Sequence, residues 1–222
     1  MKRIAAISLA VMLAVVFAGC GIAKKPTGGN AGGGSPIPAP APQEDSIYGT
    51  YYASFDMSGI VAAQIEAEYD IDASYPLWMD MTMTLNEDET YKIEFDLPSF
   101  LSETENYYYQ VFPEMLKAIF AEQGIPESQM ESTIQGLGYG SYQEYLDAMV
   151  DEAMGTVEAE YPDGSNTVTE GTYKVDESVG TIELFEDGYS VATDTGVIND
   201  DGSITIQNIS MEGESVDIVF VR

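Results

Sequence analysis

Two runs of alternating apolar and polar residues place the strongest constraint on the fold of this chain. Every second side chain is apolar in residues 77–85, and the same alternation returns in residues 90–97 after the four polar residues 86–89. The apolar set is Leu77, Met79, Met81, Met83, Leu85, Tyr91, Ile93, Phe95 and Leu97. A period of two places these side chains on one face of an antiparallel hairpin. Because that face must cover a core, the fold requires further strands or helices.

Shorter stretches of strand-like sequence lie on both sides of this hairpin. One precedes it at residues 47–55, and six follow it, separated by turn dipeptides. The six are Thr156–Tyr161, Thr167–Val175, Gly180–Phe185, Tyr189–Thr195, Ser203–Ile209 and Val216–Val221. The dipeptides are Asp163-Gly164, Asp187-Gly188, Asp201-Gly202 and Glu212-Gly213. Strands of this length at near-regular spacing predict an antiparallel meander that closes into a small barrel.

The apolar period changes to that of a helix at residues 101–155, which predicts a three-helix insert between strands. Pro113 interrupts the first helical pattern, so we expect the regular helix to begin there, with proline in its first turn. The second helix is predicted at Pro126–Gln135. The third begins after Ser141, a capping residue, and ends at Gly155.

Two further start signals complete the fold prediction. Ser102 and Glu105 have capping-box spacing, and a short helix is expected at Ile60–Glu68, capped by Asp56 or Ser58. The predicted fold class is mainly β with helical insertion (α+β). We expect a small antiparallel meander barrel of about eight strands with a three-helix insert.

The N-terminus has the order of a secretory signal. Lys2-Arg3 precedes an apolar run of 14 residues, Ile4–Phe17, and the small pair Ala18-Gly19 stands directly before Cys20, the single cysteine. The run is shorter than the roughly 20 residues of a membrane-spanning helix, so cleavage is predicted. The pattern resembles the lipobox of bacterial lipoproteins, which implies a cut before Cys20 and a lipid on its sulfur.

The next segment separates the anchor from the folded domain. Residues 20–45 are rich first in glycine and then in proline, which predicts an unfolded tether that follows the signal peptide at 1–19. A chain of 25 such residues spans about 25 to 30 Å. Residues 46–222 are predicted to form one domain, attached to the cell membrane on its extracytoplasmic side.

Charge and composition exclude several functions for this domain. It contains 36 acidic and four basic residues, a formal net charge of −32, which disfavours nucleic-acid binding. The chain has no histidine and the domain has no cysteine, so no Ser-His-Asp or Cys-His catalytic system is possible. We therefore predict no enzyme activity, no catalytic residues and no cofactor.

Three acidic segments have the oxygen ligands that calcium prefers, although none has EF-hand spacing. They are Asp70–Asp72, Asn86–Glu89 and Asn199–Gly202. Hairpin turns use the same residue types, and this interpretation is the favoured one. No metal site is predicted.

Several motifs resemble those of a group of uncharacterised lipoproteins of Gram-positive bacteria with lipocalin-like domains. Besides the lipobox they are Tyr48–Tyr51 with Asp56–Ser58, Leu85–Tyr91, Ser141–Leu146 and Glu170–Val175. Glu89 stands where that group tends to have glycine. The resemblance implies a lipocalin-like barrel and an envelope location, and it implies no catalytic residue.

Aromatic residues provide the candidate ligand site. Tyr51, Trp78, Tyr108 and Tyr142 are predicted to line a cleft between the barrel mouth and the helices, of the kind that binds sugars or lipids. The predicted function is non-catalytic binding of a small molecule or envelope component by an anchored lipoprotein. The alternative is a protein-interaction or structural module of the cell envelope that uses its helical insert.

Overall fold

The computed structural model of the protein describes residues 46–162, 167–211 and 214–222, and within them the chain forms eight strands and four helices. The strands are β1 (Gly49–Asp56), β2 (Trp78–Leu85), β3 (Thr90–Phe95), β4 (Val168–Asp176), β5 (Thr181–Glu186), β6 (Asp194–Ile198), β7 (Ile204–Met211) and β8 (Glu214–Phe220). The helices are α1 (Ser58–Tyr69), α2 (Leu97–Glu122), α3 (Glu127–Gly136) and α4 (Tyr142–Ala159). The predicted signal peptide, Cys20, the tether and the turns at Asp163-Gly164 and Glu212-Gly213 lie outside the described residues.

The strands form one antiparallel sheet in the order β1 to β8. The first and last strands meet at Tyr52, whose N–H donates to the Val221 oxygen at 2.7 Å, while the Val221 N–H donates to the Tyr52 oxygen at 2.8 Å. The sheet is therefore a nearly closed barrel. The predicted lipocalin-like meander of about eight strands with a three-helix insert is confirmed.

Connections alternate between the two ends of the barrel because neighbouring strands run in opposite directions. One end, called the turn end here, contains the short connections 86–89, 177–180 and 199–203. β1 also starts at the turn end, since Gly49 pairs with Leu85. The opposite end, called the helix end, contains α1 and the insert of α2, α3 and α4.

The predicted hairpin is formed by β2 and β3. Met79, Met81 and Met83 are buried in the barrel, whereas Trp78 lies on the outer face with the polar residues of the alternation. In the turn that follows, Glu89 has a φ of 64°. This left-handed conformation is one that glycine adopts at lower cost, yet the turn is retained with glutamate.

Two inward-facing glycines allow close packing in the barrel. A Cβ on Gly171 would lie 2.1 Å from the backbone oxygen of Phe185 on the neighbouring strand. On Gly196 it would lie 2.7 Å from the Thr205 oxygen and 2.9 Å from Cδ1 of Ile206. Any larger residue at either position would force strands apart, because backbone atoms cannot move aside as a flexible side chain can.

The first helix of the insert, α2, starts earlier than predicted. It begins at Leu97 rather than at Pro113 or after Ser102, because Asp96 caps it by accepting a hydrogen bond from the Ser99 N–H at 3.1 Å. Pro113 lies inside the helix. An internal proline costs about 3 kcal/mol, but the buried stripe of α2 continues on both sides of it, and each large apolar side chain contributes about 1.5–3 kcal/mol.

Helix α4 also extends further than predicted. Ser141 is its N-cap, as expected, and accepts a hydrogen bond from the Glu144 N–H at 3.1 Å. The predicted stop at Gly155 and the strand at Thr156–Tyr161 are wrong, since α4 continues to Ala159. An exposed helical glycine costs about 1 kcal/mol, which is less than the gain from burying Val157.

Two smaller boundaries differ from the prediction. The strand expected at Tyr189–Thr195 is shifted, because β6 begins at Asp194 and Tyr189 lies in an exposed loop. At α1 the N-cap position is Met57, which makes no side-chain capping bond; Asp56 instead accepts a hydrogen bond from the Ser58 N–H at 2.9 Å.

The helices contribute to two hydrophobic cores. The N-terminal part of α2 and most of α4 pack in the same core as the barrel interior. The C-terminal part of α2, α3 and the start of α4 enclose a second, smaller core. In the described part of the chain, no helix has the length and apolar character needed to span a membrane.

Candidate functional site

Two of the four predicted ligand residues lie on β1 and β2. Tyr51 is buried in the barrel, and its hydroxyl donates to the Ile47 oxygen at 2.7 Å. The guanidinium of Arg222 lies 5.0 Å from the centre of the Tyr51 ring, at the turn end. Trp78 is partly exposed on the outer face and pairs with Asp56 across the sheet. These two side chains therefore point to opposite faces of the sheet.

The other two predicted ligand residues lie on helices of the insert. Tyr108 is fully buried in the main core, where its ring stacks on Phe112 at 4.8 Å. Tyr142 is partly buried at the start of α4 and packs against both cores. The four residues lie in four different surroundings, and the structure does not bring them together as one lining. The cleft stays a prediction.

The interior of the barrel is filled with side chains. Met83, Ile182, Leu184 and Ile204, from three different strands, have no exposed surface, and Tyr91 is 2% exposed. A side chain that bordered a water-sized cavity would keep accessible surface there, so the interior around these residues is close-packed. A small-molecule site in this domain must therefore involve a part of the core that rearranges, or the outer surface.

The contact between α2 and the neighbouring segments is the richest in buried polar groups. The Tyr107 hydroxyl donates to the Ala73 oxygen at 3.0 Å, which joins α2 to the connection between α1 and β2. The Tyr107 ring also meets Tyr75 edge to face, with centroids 6.5 Å apart. This hydrogen bond satisfies a hydroxyl that is otherwise fully buried.

Thr104 and Tyr108 lie on the same buried side of α2, one turn apart, and neither is exposed to solvent. No described group accepts or donates a hydrogen bond at the Thr104 Oγ1 or the Tyr108 Oη atom. Burial raises the pKa of Tyr108, so its hydroxyl stays protonated and remains a donor at neutral pH. Thr104 was not among the predicted residues. The sequence feature that could have identified it is a threonine within the otherwise apolar stripe of a helix.

A second polar group lies inside the barrel at β6. Asp194 faces the interior, because it pairs directly with the buried Leu184, and burial raises the pKa of its carboxyl group. Burial also raises the pKa of Tyr91 to about 12, with a further increase from the nearby Asp194. The adjacent Thr193, whose hydroxyl donates to the Leu184 oxygen at 3.2 Å, offsets part of the rise in the Asp194 pKa. The sequence did not distinguish Asp194 from the many other acidic residues of the domain.

The acidic turns at the turn end have a structural explanation. In each of them an aspartate Oδ1 accepts a hydrogen bond from the hydroxyl two residues later, which lowers the aspartate pKa. The pairs are Asp88 with Thr90 (2.6 Å), Asp176 with Ser178 (2.5 Å) and Asp201 with Ser203 (2.6 Å). Among the described residues, no group of three or more acidic side chains is placed to hold a metal ion.

Comparisons with protein-family models, curated protein sequences and solved structures gave no match to this chain. The resemblance to Gram-positive lipoproteins thus stays a prediction from the quoted motifs. Two features of the structure bear on function. One is the set of buried hydroxyl groups beneath α2, and the other is the position of residue 46 at the turn end of the barrel.

Proposed function

We propose that this protein is an extracytoplasmic lipoprotein, anchored through a lipid on Cys20, whose lipocalin-like domain binds a small molecule or envelope component without catalysis. One observation carries the proposal. Ser46, the first described residue, lies at the turn end, where Arg222 donates hydrogen bonds to the backbone oxygens of Ser46 and Tyr48. A chain anchored through residues 20–45 presents its helix end away from the membrane.

Charge explains why a spacer is needed between the turn end and the membrane. The connections of the turn end contain carboxylates next to the point where the proposed tether joins the domain, including Glu87, Asp88 and Asp200. Anionic lipid headgroups repel such a surface within about 8 Å, the screening length at physiological salt. A spacer of 25 to 30 Å exceeds that distance several-fold. The domain then stands clear of the membrane with its helices facing outward.

Sequence composition supports the absence of catalysis. The chain contains no histidine, and its single cysteine is the proposed lipid attachment point. Nucleophilic systems that depend on an imidazole or a thiolate therefore have no residues in this domain.

A protein-interaction module is the second candidate function, and a specific observation favours it. The loop between β5 and β6 lies at the helix end and exposes Tyr189 (57%) and Val191 (63%). Leu137, directly after α3, is also exposed. Apolar side chains exposed at the outward-facing end are a contact surface for a partner protein.

Mass spectrometry of the protein isolated from its native membrane tests the anchor. We expect a diacylglyceryl group on Cys20 and a mature chain that begins there, and a Cys20→Ala variant that no longer carries lipid. An unmodified thiol would refute the anchoring argument. Native mass spectra of the same sample distinguish the two functions, since a retained small molecule supports the first. A cross-linked partner that is lost in a Tyr189→Ser, Val191→Ser double variant supports the second.

A further inference from the structure

Thr104 and Tyr108 form an unusual pair for a close-packed core. Residues four apart on a helix are neighbours on its surface, so the two side chains share one region beneath α2. Neither hydroxyl group has a hydrogen-bond partner among the described residues, and neither side chain is accessible to solvent. A hydroxyl in such a place destabilises the folded state, and valine or phenylalanine would fill the same space without that cost. The pair is explained if another state of the protein uses both hydroxyls.

The strand that α2 contacts has adaptable side chains on its inner face. Helix α2 packs against β2, whose inward residues are Met79, Met81 and Met83. Methionine is unbranched and has three rotatable side-chain bonds, so it repacks around a guest at lower cost than leucine or isoleucine. A core lined by methionine can therefore rearrange around a ligand at lower cost than a core lined by branched side chains.

The topology permits α2 to move. The whole insert connects β3 to β4, and these strands pair directly with each other from Thr90 with Thr172 to Glu94 with Val168. Displacing α2 therefore breaks no hydrogen bond between β3 and β4, and its cost includes the bond from the Tyr107 hydroxyl to the Ala73 oxygen. The second core, around Phe120 and Ile134, holds the far part of the insert together during such a movement.

We propose that the interface between α2 and β2 opens to bind an apolar molecule with one neutral hydrogen-bond acceptor, whose oxygen accepts hydrogen bonds from Tyr108 Oη and Thr104 Oγ1. A ketone, ester or amide carbonyl has this chemistry. A carboxylate does not fit, because the domain has a formal charge of −32 and no cationic side chain lies on the described inner surface of α2 or β2. This assignment rests on the proposed small-molecule function and names the site and ligand class.

The test uses two compounds of the same shape, benzophenone and diphenylmethane, which differ in one carbonyl oxygen. Each is titrated into the full-length protein in liposomes, and dissociation constants are obtained from the rise in melting temperature followed by circular dichroism. We expect benzophenone to bind about tenfold more tightly than diphenylmethane, as one or two neutral hydrogen bonds provide.

Two variants assign the preference to a residue. In Tyr108→Phe we expect the preference for benzophenone to decrease, and in Tyr108→Phe, Thr104→Val to disappear, while the affinity for diphenylmethane stays the same. In the control Tyr109→Phe, which removes a hydroxyl bonded to Asp147 on the same helix, the preference should persist. The double variant Tyr108→Phe, Thr104→Val should show no further change in diphenylmethane binding.

The possible outcomes separate this inference from the proposed function. Equal affinities for the two compounds in the unmodified protein, or a preference that is undiminished in Tyr108→Phe or persists in the double variant, would overturn the assignment of the site but leave small-molecule binding standing. Binding of neither compound overturns the ligand class. If native mass spectra of the isolated protein also show no retained molecule, the small-molecule function fails with it.

Discussion

Tyr107 and Tyr108 form a matched pair for testing how buried hydroxyl groups affect the stability of this domain. They are adjacent on α2 and both are fully buried, but the Tyr107 hydroxyl donates to the Ala73 oxygen at 3.0 Å whereas the Tyr108 hydroxyl has no described partner. Replacing each with phenylalanine removes one oxygen atom and leaves the ring in place. The structure predicts effects of opposite sign.

The magnitudes follow from the hydrogen bonds. Tyr107→Phe loses one hydrogen bond, while the Ala73 oxygen still accepts one from the Tyr75 N–H at 2.8 Å. The loss should lower the free energy of unfolding by about 0.5–1.5 kcal/mol. Tyr108→Phe removes a hydroxyl that is buried without compensation, which should raise it by about 1–2 kcal/mol. The two variants should therefore differ by about 1.5–3.5 kcal/mol, although their side chains have the same composition.

Thermal unfolding of the full-length protein followed by circular dichroism measures both effects. For a domain of this size, 1 kcal/mol corresponds to about 2–4 °C in melting temperature. We expect Tyr107→Phe to melt below the unmodified protein and Tyr108→Phe above it. A Tyr108→Phe variant that melts below the unmodified protein would refute the reasoning, because it would show that the hydroxyl has a partner in the folded state.

Three further predictions concern the backbone and pH. Glu89→Gly should raise the free energy of unfolding by about 1 kcal/mol by removing the cost of a left-handed φ, measured by urea unfolding. Gly171→Ala should lower the free energy of unfolding by more than about 3 kcal/mol or prevent folding, because its Cβ would meet the Phe185 oxygen. The control Gly59→Ala in α1 has open space around it and should raise the free energy of unfolding by about 0.5–1 kcal/mol. Equal effects of the two substitutions would contradict the packing argument. Burial raises the pKa of Asp194 in the folded state, so the folded protein binds the proton more tightly, and stability falls as pH rises from the ordinary carboxyl pKa through the raised value. Asp194→Asn should therefore have a higher free energy of unfolding than the unmodified protein above that pH interval, and the difference should vanish below it. Urea unfolding across the pH range measures this difference. If Asp194 were stabilised as a carboxylate, the variant would instead be the less stable protein above the interval.

Local patterns predicted the strands of this protein well. The alternation in residues 77–97 requires a two-sided hairpin, since a shift by one residue would expose every methionine of β2. The same reasoning located most of the other strands to within a few residues. The Ser141 cap was also predictable, because the bond from the Glu144 N–H to its hydroxyl involves only neighbouring residues.

Helix boundaries were less predictable where local and tertiary effects compete. Pro113 and Gly155 are breaker residues with known costs, and sequence reasoning placed a helix start and a helix end at them. Both lie inside helices because the buried stripes of α2 and α4 continue past them. The gain from burying those side chains against the barrel depends on a surface that the local sequence does not contain.

Sequence alone determined the barrel class, the acidic character of the domain and the residue types available for chemistry, because each depends on local periodicity or on composition. The tertiary structure decided which aromatic residues are buried, placed Trp78 outside the barrel, and left the hydroxyls of Thr104 and Tyr108 without partners. Whether a hydroxyl finds a partner depends on atoms from distant parts of the chain. Tyr107 finds the Ala73 oxygen, 34 residues away, and the next residue of the helix finds none.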